Sequence, residues 1–285
     1  MSAPSVLIAG CGDVGSRLAT QLLALGWEVH GLRRDISRLP EGVIGVAGDL
    51  FNEDCPATWP IGAVDYLVYC AAATDHDEAG YRAAYVQGLQ HVLGWLDDYG
   101  QVPERLLFVS SSSVYGQQEG EWVDETSPAV AAGYSGRVML EAEQIALKSG
   151  IPASIVRLTG IYGPGREWLL TQVRRGYRVA VDPPLYANRI HADDAAGLMA
   201  FLLEAARRGV ALEDVYIGVD DAPAALADVV GWLREYLGVT EWADDASVRR
   251  TGSKRCSNAR AKALGWAPKY PSFREGYAAI LEGRC

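Results

Sequence analysis

Three glycines near the N-terminus have a spacing that suits the binding of a diphosphate. Gly10, Gly12 and Gly15 follow a short apolar run and precede a segment with helical periodicity. In this context the first glycine allows a tight turn, the second lets the backbone approach a pyrophosphate, and the third permits close packing of helix on strand. The first helical amides, at Asp13 and Val14, would then face the phosphates. The pattern predicts a dinucleotide site; the alternative is a purely structural glycine turn.

Two arginines follow the second predicted strand, where the adenosine ribose of a dinucleotide would lie. An NAD site usually carries Asp or Glu here, because a carboxylate bonds the ribose hydroxyls and repels a 2′-phosphate. This chain has Arg33 and Arg34, whose guanidinium groups offer paired donors and positive charge to that phosphate. The sequence therefore favours NADP(H) over NAD(H). The alternative is a solvated basic loop that pairs with Asp35 or Glu41.

Two further residues near this predicted site carry groups of interest. Asp49 follows the third predicted strand, where its carboxylate could accept a hydrogen bond from an adenine amino group or else only cap a turn. Cys11 lies at the start of the predicted helix, a position that lowers the pKa of a thiol. We assign no reaction to Cys11.

Apolar strand-like runs alternate with amphipathic helical segments through the first half of the chain. Near-continuous apolar strands separated by helices predict a parallel sheet covered on both faces and built from right-handed crossovers. The predicted fold class is α/β, a doubly wound parallel (Rossmann) sheet. The predicted strands are Ser5–Ala9, Trp27–Leu32, Val43–Ala47, Val64–Ala72, Leu106–Ser110, Ile151–Leu158, Tyr177–Val181 and Val215–Val219.

The rhythm of strands and helices changes after Gly163-Pro164-Gly165. Later helices are predicted from a cap at Asp193 or Asp194 to Arg208, and over Ala224–Leu237 behind Pro223. We predict a dinucleotide-binding domain of residues 1–163 and 189–219, and a small C-terminal substrate lobe of residues 164–188 and 220–285.

Composition and charge exclude several classes of protein. The chain has 285 residues and a net charge of −10, so it lacks the broad positive surface that drives nucleic-acid binding. No run approaches the roughly 18 apolar residues of a membrane span. The N-terminus lacks the basic segment of a signal peptide. Five cysteines without CxxC or histidine spacing predict reduced thiols, no metal site and a cytoplasmic location.

Seven different short motifs are distributed along nearly the whole chain: Gly10–Gly15, Gly48–Leu50, Ala71–Ala73, Phe108–Gly116, Arg157–Gly165, Arg189–Asp194 and Leu264–Pro268. In this order they resemble the motifs of the extended short-chain dehydrogenase/reductases, the NAD(P)-dependent epimerase/dehydratase group. The resemblance implies that Leu50, Ala71 and Ala72 join Asp49 and the glycine loop at the cofactor. It also implies a small-molecule substrate, for which relatives often use a nucleotide sugar.

In that family a Ser or Thr and a Tyr carry the proton chemistry, with a Lys four residues after the Tyr. The resemblance puts Ser111 in the serine's place, with Ser112 as a rival, and Tyr134 in the tyrosine's place. A phenol of pKa about 10 is a poor base near neutral pH unless an ammonium stabilises its anion. Position 138 is Val rather than Lys, and Tyr85 stands where the family has an active-site Asn. The chain therefore resembles the atypical members of the superfamily.

Three other positions offer substitute groups. Arg137 neighbours Tyr134 on the predicted helix, but its spacing from Glu141 favours a surface ion pair. The segment Asp75–Asp77 could supply an acid or base, although a solvated polar loop is the favoured interpretation. His191 could tune the site, although packing between sheet and helix is favoured.

Two functions fit these observations. The first is an NADP(H)-binding oxidoreductase or epimerase that acts on a carbonyl or sugar-like hydroxyl substrate. The second is a non-catalytic NADP(H)-binding redox sensor or interaction protein. Basic residues of the predicted lobe could hold a nucleotide-sugar diphosphate or be surface charges: Arg166, Arg174, Arg175, Arg249, Arg250, Lys254 and Arg255.

A homodimer is also consistent with the resemblance, because the family often pairs the two helices that here begin near Tyr81 and Tyr134. Leu89, Val92 and Leu96 lie on one face of the first of these helices. They could meet a second subunit or face the sheet of their own chain.

Overall fold

Strands and helices alternate through the chain, as the apolar patterning predicts. A computed structural model describes residues 3–62, 64–243 and 252–285. The strands are β1 (Ser5–Ala9), β2 (Glu28–Arg33), β3 (Ile44–Ala47), β4 (Tyr66–Tyr69), β5 (Arg105–Ser111), β6 (Glu121–Val123), β7 (Ala153–Leu158), β8 (Gly160–Tyr162), β9 (Arg189–His191), β10 (Val215–Gly218) and β11 (Lys254–Cys256).

The helices differ in length, and two of them are joined by an unusual segment. They are α1 (Asp13–Ala24), α2 (Glu78–Tyr81), α3 (Gly88–Asp98), α4 (Tyr134–Leu147), α5 (Trp168–Arg174), α6 (Ala192–Arg207), α7 (Leu226–Leu237), α8 (Ala259–Leu264) and α9 (Phe273–Leu281). A π-helical segment, Arg82–Gln87, connects α2 directly to α3. Such π-helical turns are frequent at functional sites.

One sheet contains seven strands in the order β10-β7-β5-β4-β1-β2-β3. Strand β1 pairs in parallel with both β2 and β4, β2 pairs in parallel with β3, and β4 with β5. The chain therefore adds β2 and β3 on one side of β1 and later strands on the other. In such sheets ligands bind at the carboxyl ends of the strands where the order reverses. The prediction of a doubly wound α/β fold is confirmed.

The innermost strands explain why this sequence forms a parallel sheet. Every residue of β1 and of β4 is buried, without the in–out alternation of a half-exposed strand. Strands covered on both faces have this pattern. On α1, Leu18 and Leu22 are fully buried and lie one turn apart, so one face of the helix is apolar.

The chain divides into two compact units. One comprises Met1–Val114, Ala129–Arg157 and Ala196–Tyr216, and the other comprises Tyr115–Pro128, Leu158–Ala195 and Ile217–Cys285. In the second unit β6 pairs in parallel with β11, and β8 with β9. Its core contains apolar side chains from α5, α7 and α9, among them Leu170, Val173, Val229, Leu233 and Phe273.

Two elements predicted in the second half of the chain differ in the structure. Residues 177–181 form no strand; Tyr177 is buried in the core of the second unit, with its ring against Trp168. Helix α7 begins at Leu226 rather than Ala224, because Ala225 bridges to Tyr186 and the Leu226 amide donates to the Leu185 carbonyl.

Helix α6 also begins differently from the prediction. It starts at Ala192, so Asp193 and Asp194 lie in its first turn and do not cap it. The carboxylate of Asp194 instead accepts hydrogen bonds from the backbone amides of Lys269 and Tyr270, at 2.6 and 3.0 Å.

A buried polar network fastens α4 to the sheet. Glu143 on α4 accepts two hydrogen bonds from Arg157 on β7, at 2.9 and 2.6 Å, and one from the Ser110 hydroxyl on β5 at 2.5 Å. All three residues are less than 10% exposed. A buried ion pair is stabilising only when its partners satisfy each other, as they do here.

We expect Glu143→Gln to destabilise the protein by about 3–5 kcal/mol, because it leaves the Arg157 charge buried without a counter-charge. Urea denaturation measures this loss. Glu141→Gln is the matched control on the same helix, since Glu141 forms an exposed ion pair with Arg82 and should unfold close to wild type. Equal effects of the two substitutions would contradict this account.

Candidate functional site

The glycine loop joins the carboxyl end of β1 to α1 and is fixed by its own backbone. The amides of Gly10 and Cys11 both donate to the Leu32 carbonyl on β2, at 3.1 and 2.9 Å. Gly10 has a φ of +84°, and a Cβ there would lie 2.6 Å from the backbone of Ala71. A Cβ on Gly15 would lie 3.2 Å from the Ile8 side chain. Position 10 therefore requires glycine, and Gly15 is tightly packed, so that the loop lies against the ends of β1 and β4.

Gly12 differs from these two glycines because it faces open space. A Cβ on Gly12 would meet, among the described residues, only the Gly10 carbonyl at 3.9 Å. Gly12 is the N-cap of α1, and no side chain in the described part of the chain caps that helix end. Asp13 is exposed and pairs with Arg17, while Val14 is buried. An uncapped helix start beside an open glycine fits a diphosphate.

The two predicted arginines lie at the end of β2 in different settings. Arg33 is half-buried, and its Nη1 donates to the Cys11 carbonyl at 3.1 Å, which holds the guanidinium against the glycine loop. Arg34 is exposed. Asp35 pairs with Arg38 and caps a short 3-10 turn. A fixed cation thus lies beside the glycine loop, as an extra phosphate on the adenosine would require.

The remaining predicted cofactor residues lie at the ends of β3 and β4. Asp49 Oδ1 accepts a hydrogen bond from the Phe51 amide at 3.2 Å and so caps a turn. The Leu50 carbonyl accepts from His91 Nδ1 at 2.8 Å. Ala71 lies against Gly10, and Ala72 is exposed. The structure therefore brings Ala71, Arg33 and the glycine loop together, with Asp49 held in a turn.

Ser111 and Tyr134 lie at adjacent ends of two elements. Ser111 ends β5, and its Oγ accepts a hydrogen bond from the Ser113 amide at 3.1 Å. Tyr134 begins α4, whose first turn lies so close to the Ser113 carbonyl that Gly136 has no room for a Cβ. The Tyr134 hydroxyl donates to the His76 carbonyl.

The surroundings of Tyr134 differ from those implied by the family pattern. Val138, at the place of the family lysine, is 2% exposed and apolar. The Tyr85 hydroxyl accepts a hydrogen bond from the Ala73 amide at 3.4 Å, and burial raises the pKa of the Tyr85 phenol. The Tyr81 ring meets both Tyr85 and Tyr134, with centroids 5.3 and 5.6 Å apart. Apolar spacing on the helices gave no signal for this cluster.

Two expectations about side chains near the site are wrong. Glu141 pairs with Arg82, through two hydrogen bonds of 2.7 Å, and not with Arg137. Arg82 donates from both terminal nitrogens, one to each carboxylate oxygen of Glu141. This two-bond pair is stronger than a single contact, so Arg82 is the partner of Glu141 instead of Arg137. Cys11 is fully buried, and this burial raises the pKa of its thiol despite the helix start.

The apolar residues considered for a dimer face the interior. Leu89, Val92 and Leu96 of α3 are all at most 1% exposed within a single chain. They are therefore core residues of this chain and cannot form the centre of a contact with a second subunit.

The second unit contains a cluster of buried polar groups. His191 is fully buried between the rings of Tyr162 and Tyr270, and its Nδ1 accepts from the Asp193 amide at 3.2 Å. Nearby, burial raises the pKa of Asp220 to about 7, while the Arg189 charge opposes this rise. These groups lie within the core of the unit, as the packing interpretation of His191 requires.

The basic residues considered for a diphosphate are mostly engaged or exposed. Lys254 is buried and donates to the Tyr115 carbonyl at 3.0 Å. The Arg255 guanidinium lies over the rings of Trp122 and Tyr186, at 5.2 and 4.8 Å. The exposed members are Arg166, Arg174 and Arg175, while Arg249 and Arg250 lie outside the described residues.

Residues 3–62, 64–243 and 252–285 contain neither a metal-binding cluster nor a membrane-spanning helix. There, no group of three or more His, Cys, Asp or Glu side chains could hold a metal ion. Within the same ranges, no helix combines the length and apolar character needed to cross a bilayer. All five cysteines are free thiols.

We expect Gly12→Ala and Gly10→Ala to separate ligand binding from folding. Gly12→Ala should melt like wild type, because its Cβ enters open space, yet weaken dinucleotide binding at least tenfold by filling that space. Gly10→Ala should lower the melting temperature, because it has both a positive φ and a backbone clash. Thermal melts and titration calorimetry measure both effects. A Gly12→Ala variant that binds NADPH like wild type would contradict the assignment of the loop.

Comparisons with known proteins agree with this geometry. A model of the NAD dependent epimerase/dehydratase family matches residues 6–218. The chain is 36% identical to a candidate NAD-dependent epimerase/dehydratase from Methylobacillus flagellatus, with a TM-score of 0.81 and 99% of each chain covered. It is 26% identical to the 3-diazoavenalumate denitrifying reductase of a Streptomyces species, over 95% of this chain and 98% of the relative.

A more distant solved structure shares the fold. It is MoeE5 in complex with UDP-glucuronic acid and NAD, which is 22% identical over 98% of each chain with a TM-score of 0.77. The match to the family model extends over most of this chain, including the glycine loop and the ends of the sheet strands. The protein therefore belongs to the NAD dependent epimerase/dehydratase family.

Proposed function

We propose that this protein is an NADP(H)-dependent oxidoreductase that reduces a carbonyl substrate at an atypical active site. The observation that carries the proposal is the Tyr134 hydroxyl, which donates to the His76 carbonyl, with a buried valine one helical turn later at the place of the family lysine. Family membership and the reductase named among the relatives support an NAD(P)-dependent oxidoreductase in general terms.

The donors of the first unit support the choice of NADP(H). Gly12 and the start of α1 would hold the diphosphate, and Arg33 and Arg34 would bind the 2′-phosphate. Asp49 would accept from the adenine amino group, with Leu50, Ala71 and Ala72 packed around the cofactor. Strand β2 ends at Arg33 rather than at a carboxylate, and the nearby Asp35 is paired with Arg38, so the charge at the strand end favours a 2′-phosphate.

The proton chemistry favours reduction over epimerisation. Oxidation of a hydroxyl requires a group that is already deprotonated before the reaction and can accept the hydroxyl proton. A phenol is deprotonated near neutral pH only when a nearby cation stabilises the phenolate. The apolar Val138 provides no such cation. Reduction needs the opposite, a hydroxyl that donates its proton, and the Tyr134 hydroxyl is the donor in its bond to the His76 carbonyl.

Each part of the proposed reaction then has a group to perform it. When bound, reduced NADP supplies a hydride to the carbonyl carbon. Tyr134 donates its phenolic proton to the carbonyl oxygen, and solvent returns a proton to the phenol. The Ser111 hydroxyl is free to donate to the same oxygen, because its own contact with the Ser113 amide uses Oγ as an acceptor.

Particular observations favour two alternatives to the proposed carbonyl reductase. The missing lysine and the Tyr85 substitution favour a non-catalytic NADP(H)-binding sensor. The UDP-glucuronic acid bound by MoeE5 favours a nucleotide-sugar substrate, although Lys254 and Arg255 contact their own chain here. A homodimer stays a prediction, with residues other than the buried α3 leucines at its interface.

We expect Arg33→Ala to weaken NADPH binding by roughly 10- to 100-fold, the loss of a hydrogen bond to a charged group. The dissociation constant for NADH should change less than threefold, because NADH lacks the 2′-phosphate. Titration calorimetry with both coenzymes measures the difference, and exposed Arg34→Ala should have a smaller effect. Equal weakening of NADPH and NADH would show that Arg33 only supports the loop through Cys11.

We expect Tyr134→Phe to lower kcat for NADPH-dependent carbonyl reduction by roughly 10²- to 10⁴-fold, because it removes the proton donor. The dissociation constant for NADPH should be unchanged. Val138→Lys, checked for folding by circular dichroism, should raise the rate of alcohol oxidation with NADP⁺ by stabilising the phenolate. Tight NADPH binding without turnover in wild type or either variant would support the sensor instead.

A further inference from the structure

Three tyrosines from separate segments meet beside the proposed proton donor. Tyr81 ends α2, Tyr85 lies in the π-helical segment, and Tyr134 begins α4. The Tyr81 ring is tilted against Tyr85 at 5.3 Å between centroids and lies edge-on to Tyr134 at 5.6 Å. All three residues are half-buried, so each keeps part of its surface exposed.

Three polar side chains near this tyrosine cluster are engaged with their own chain. The Asp77 carboxylate accepts from the Gly80 amide at 2.8 Å and caps α2. Arg82 is paired with Glu141 at 2.7 Å. The Tyr85 hydroxyl accepts from the Ala73 amide. A substrate oxygen at Tyr134 would therefore have aromatic surface beside it, while these polar side chains are already occupied.

Aromatic rings prefer particular partners. Stacked or edge-on ring pairs contribute about 0.5–1.5 kcal/mol beyond the area that they bury. A hydroxylated aliphatic chain gains nothing comparable and must give up its bonds to water, because polar groups cost free energy when they lose partners. Exposed tyrosine rings are therefore expected to favour flat conjugated compounds over polyols.

We propose that the substrate is an aromatic or conjugated carbonyl compound whose ring packs against Tyr81 with its oxygen at Tyr134. This inference rests on the proposed function for the reaction, but the binding preference is a separate property of the cluster. Tyr81 is then a specificity-determining residue, and its ring rather than its hydroxyl matters.

Three aldehydes of different surface test the preference. Benzaldehyde is flat and aromatic, cyclohexanecarbaldehyde has a similar size without a π system, and glyceraldehyde is hydroxylated. Binding to the NADP⁺ complex is measured by saturation-transfer NMR, and reduction by NADPH consumption. We expect wild type to bind benzaldehyde about 3- to 10-fold more tightly than cyclohexanecarbaldehyde, and glyceraldehyde least.

Variants of Tyr81 separate the ring from the hydroxyl. Tyr81→Phe should keep the preference for benzaldehyde, and Tyr81→Leu should lose it through a higher KM or dissociation constant. Tyr99→Leu makes the same change at an exposed tyrosine and serves as the matched control. Thermal melts establish that each variant is folded.

The outcomes distinguish the two proposals. Benzaldehyde binding that depends on the Tyr81 ring, without NADPH consumption, would support the substrate class and overturn the proposed reductase. Reduction of all three aldehydes with equal efficiency, or a preference that Tyr81→Leu leaves intact, would overturn the substrate class while supporting the reductase. Weak binding of every aldehyde with no preference would also overturn the proposed substrate class.

Discussion

The backbone of Gly10 lies directly against the backbone of Ala71, and the geometry of the proposed cofactor site depends on this contact. A Cβ on Gly10 would lie 2.6 Å from Ala71, so only glycine lets the ends of β1 and β4 come this close. The amides of the same loop donate to the Leu32 carbonyl on β2, and the Cys11 carbonyl in the loop accepts a hydrogen bond from the Arg33 guanidinium. One close approach thus sets the position of the proposed diphosphate site and of the cation beside it.

The proposed catalytic residues are positioned by a second set of contacts along α4. Gly136 packs on the Ser113 carbonyl near the start of the helix, and two turns later Glu143 bonds to Ser110 and Arg157. These contacts fix Tyr134 relative to the end of β5. The ion pair and hydrogen bonds of Glu143 therefore hold α4 in place, but they do not supply the positive charge that a lysine at position 138 would bring to Tyr134. The proposed function assigns to the Tyr134 phenol the donation of a proton rather than its removal, because no lysine follows it at position 138.

The sequence was sufficient where a local pattern determines the backbone. Glycine spacing and continuous apolar runs predicted the loop, the central strands and the doubly wound sheet, because backbone sterics and burial on both faces leave few alternatives. It was insufficient where partners come from distant segments. Arg82 rather than Arg137 binds Glu141, Tyr177 enters a core instead of a strand, and Tyr81 reaches Tyr134 across two helices. None of these pairings has a signature in residue spacing.

The central claim is that Gly12 and the amides that begin α1 hold a diphosphate while Arg33 faces an adenosine 2′-phosphate. A crystal structure of the protein grown with NADP⁺ tests this most directly. The account predicts electron density for both phosphates of the diphosphate over Gly12 and for the third phosphate within hydrogen-bonding distance of Arg33. Density for the dinucleotide elsewhere on the chain, or a 2′-phosphate that points away from β2, would contradict it.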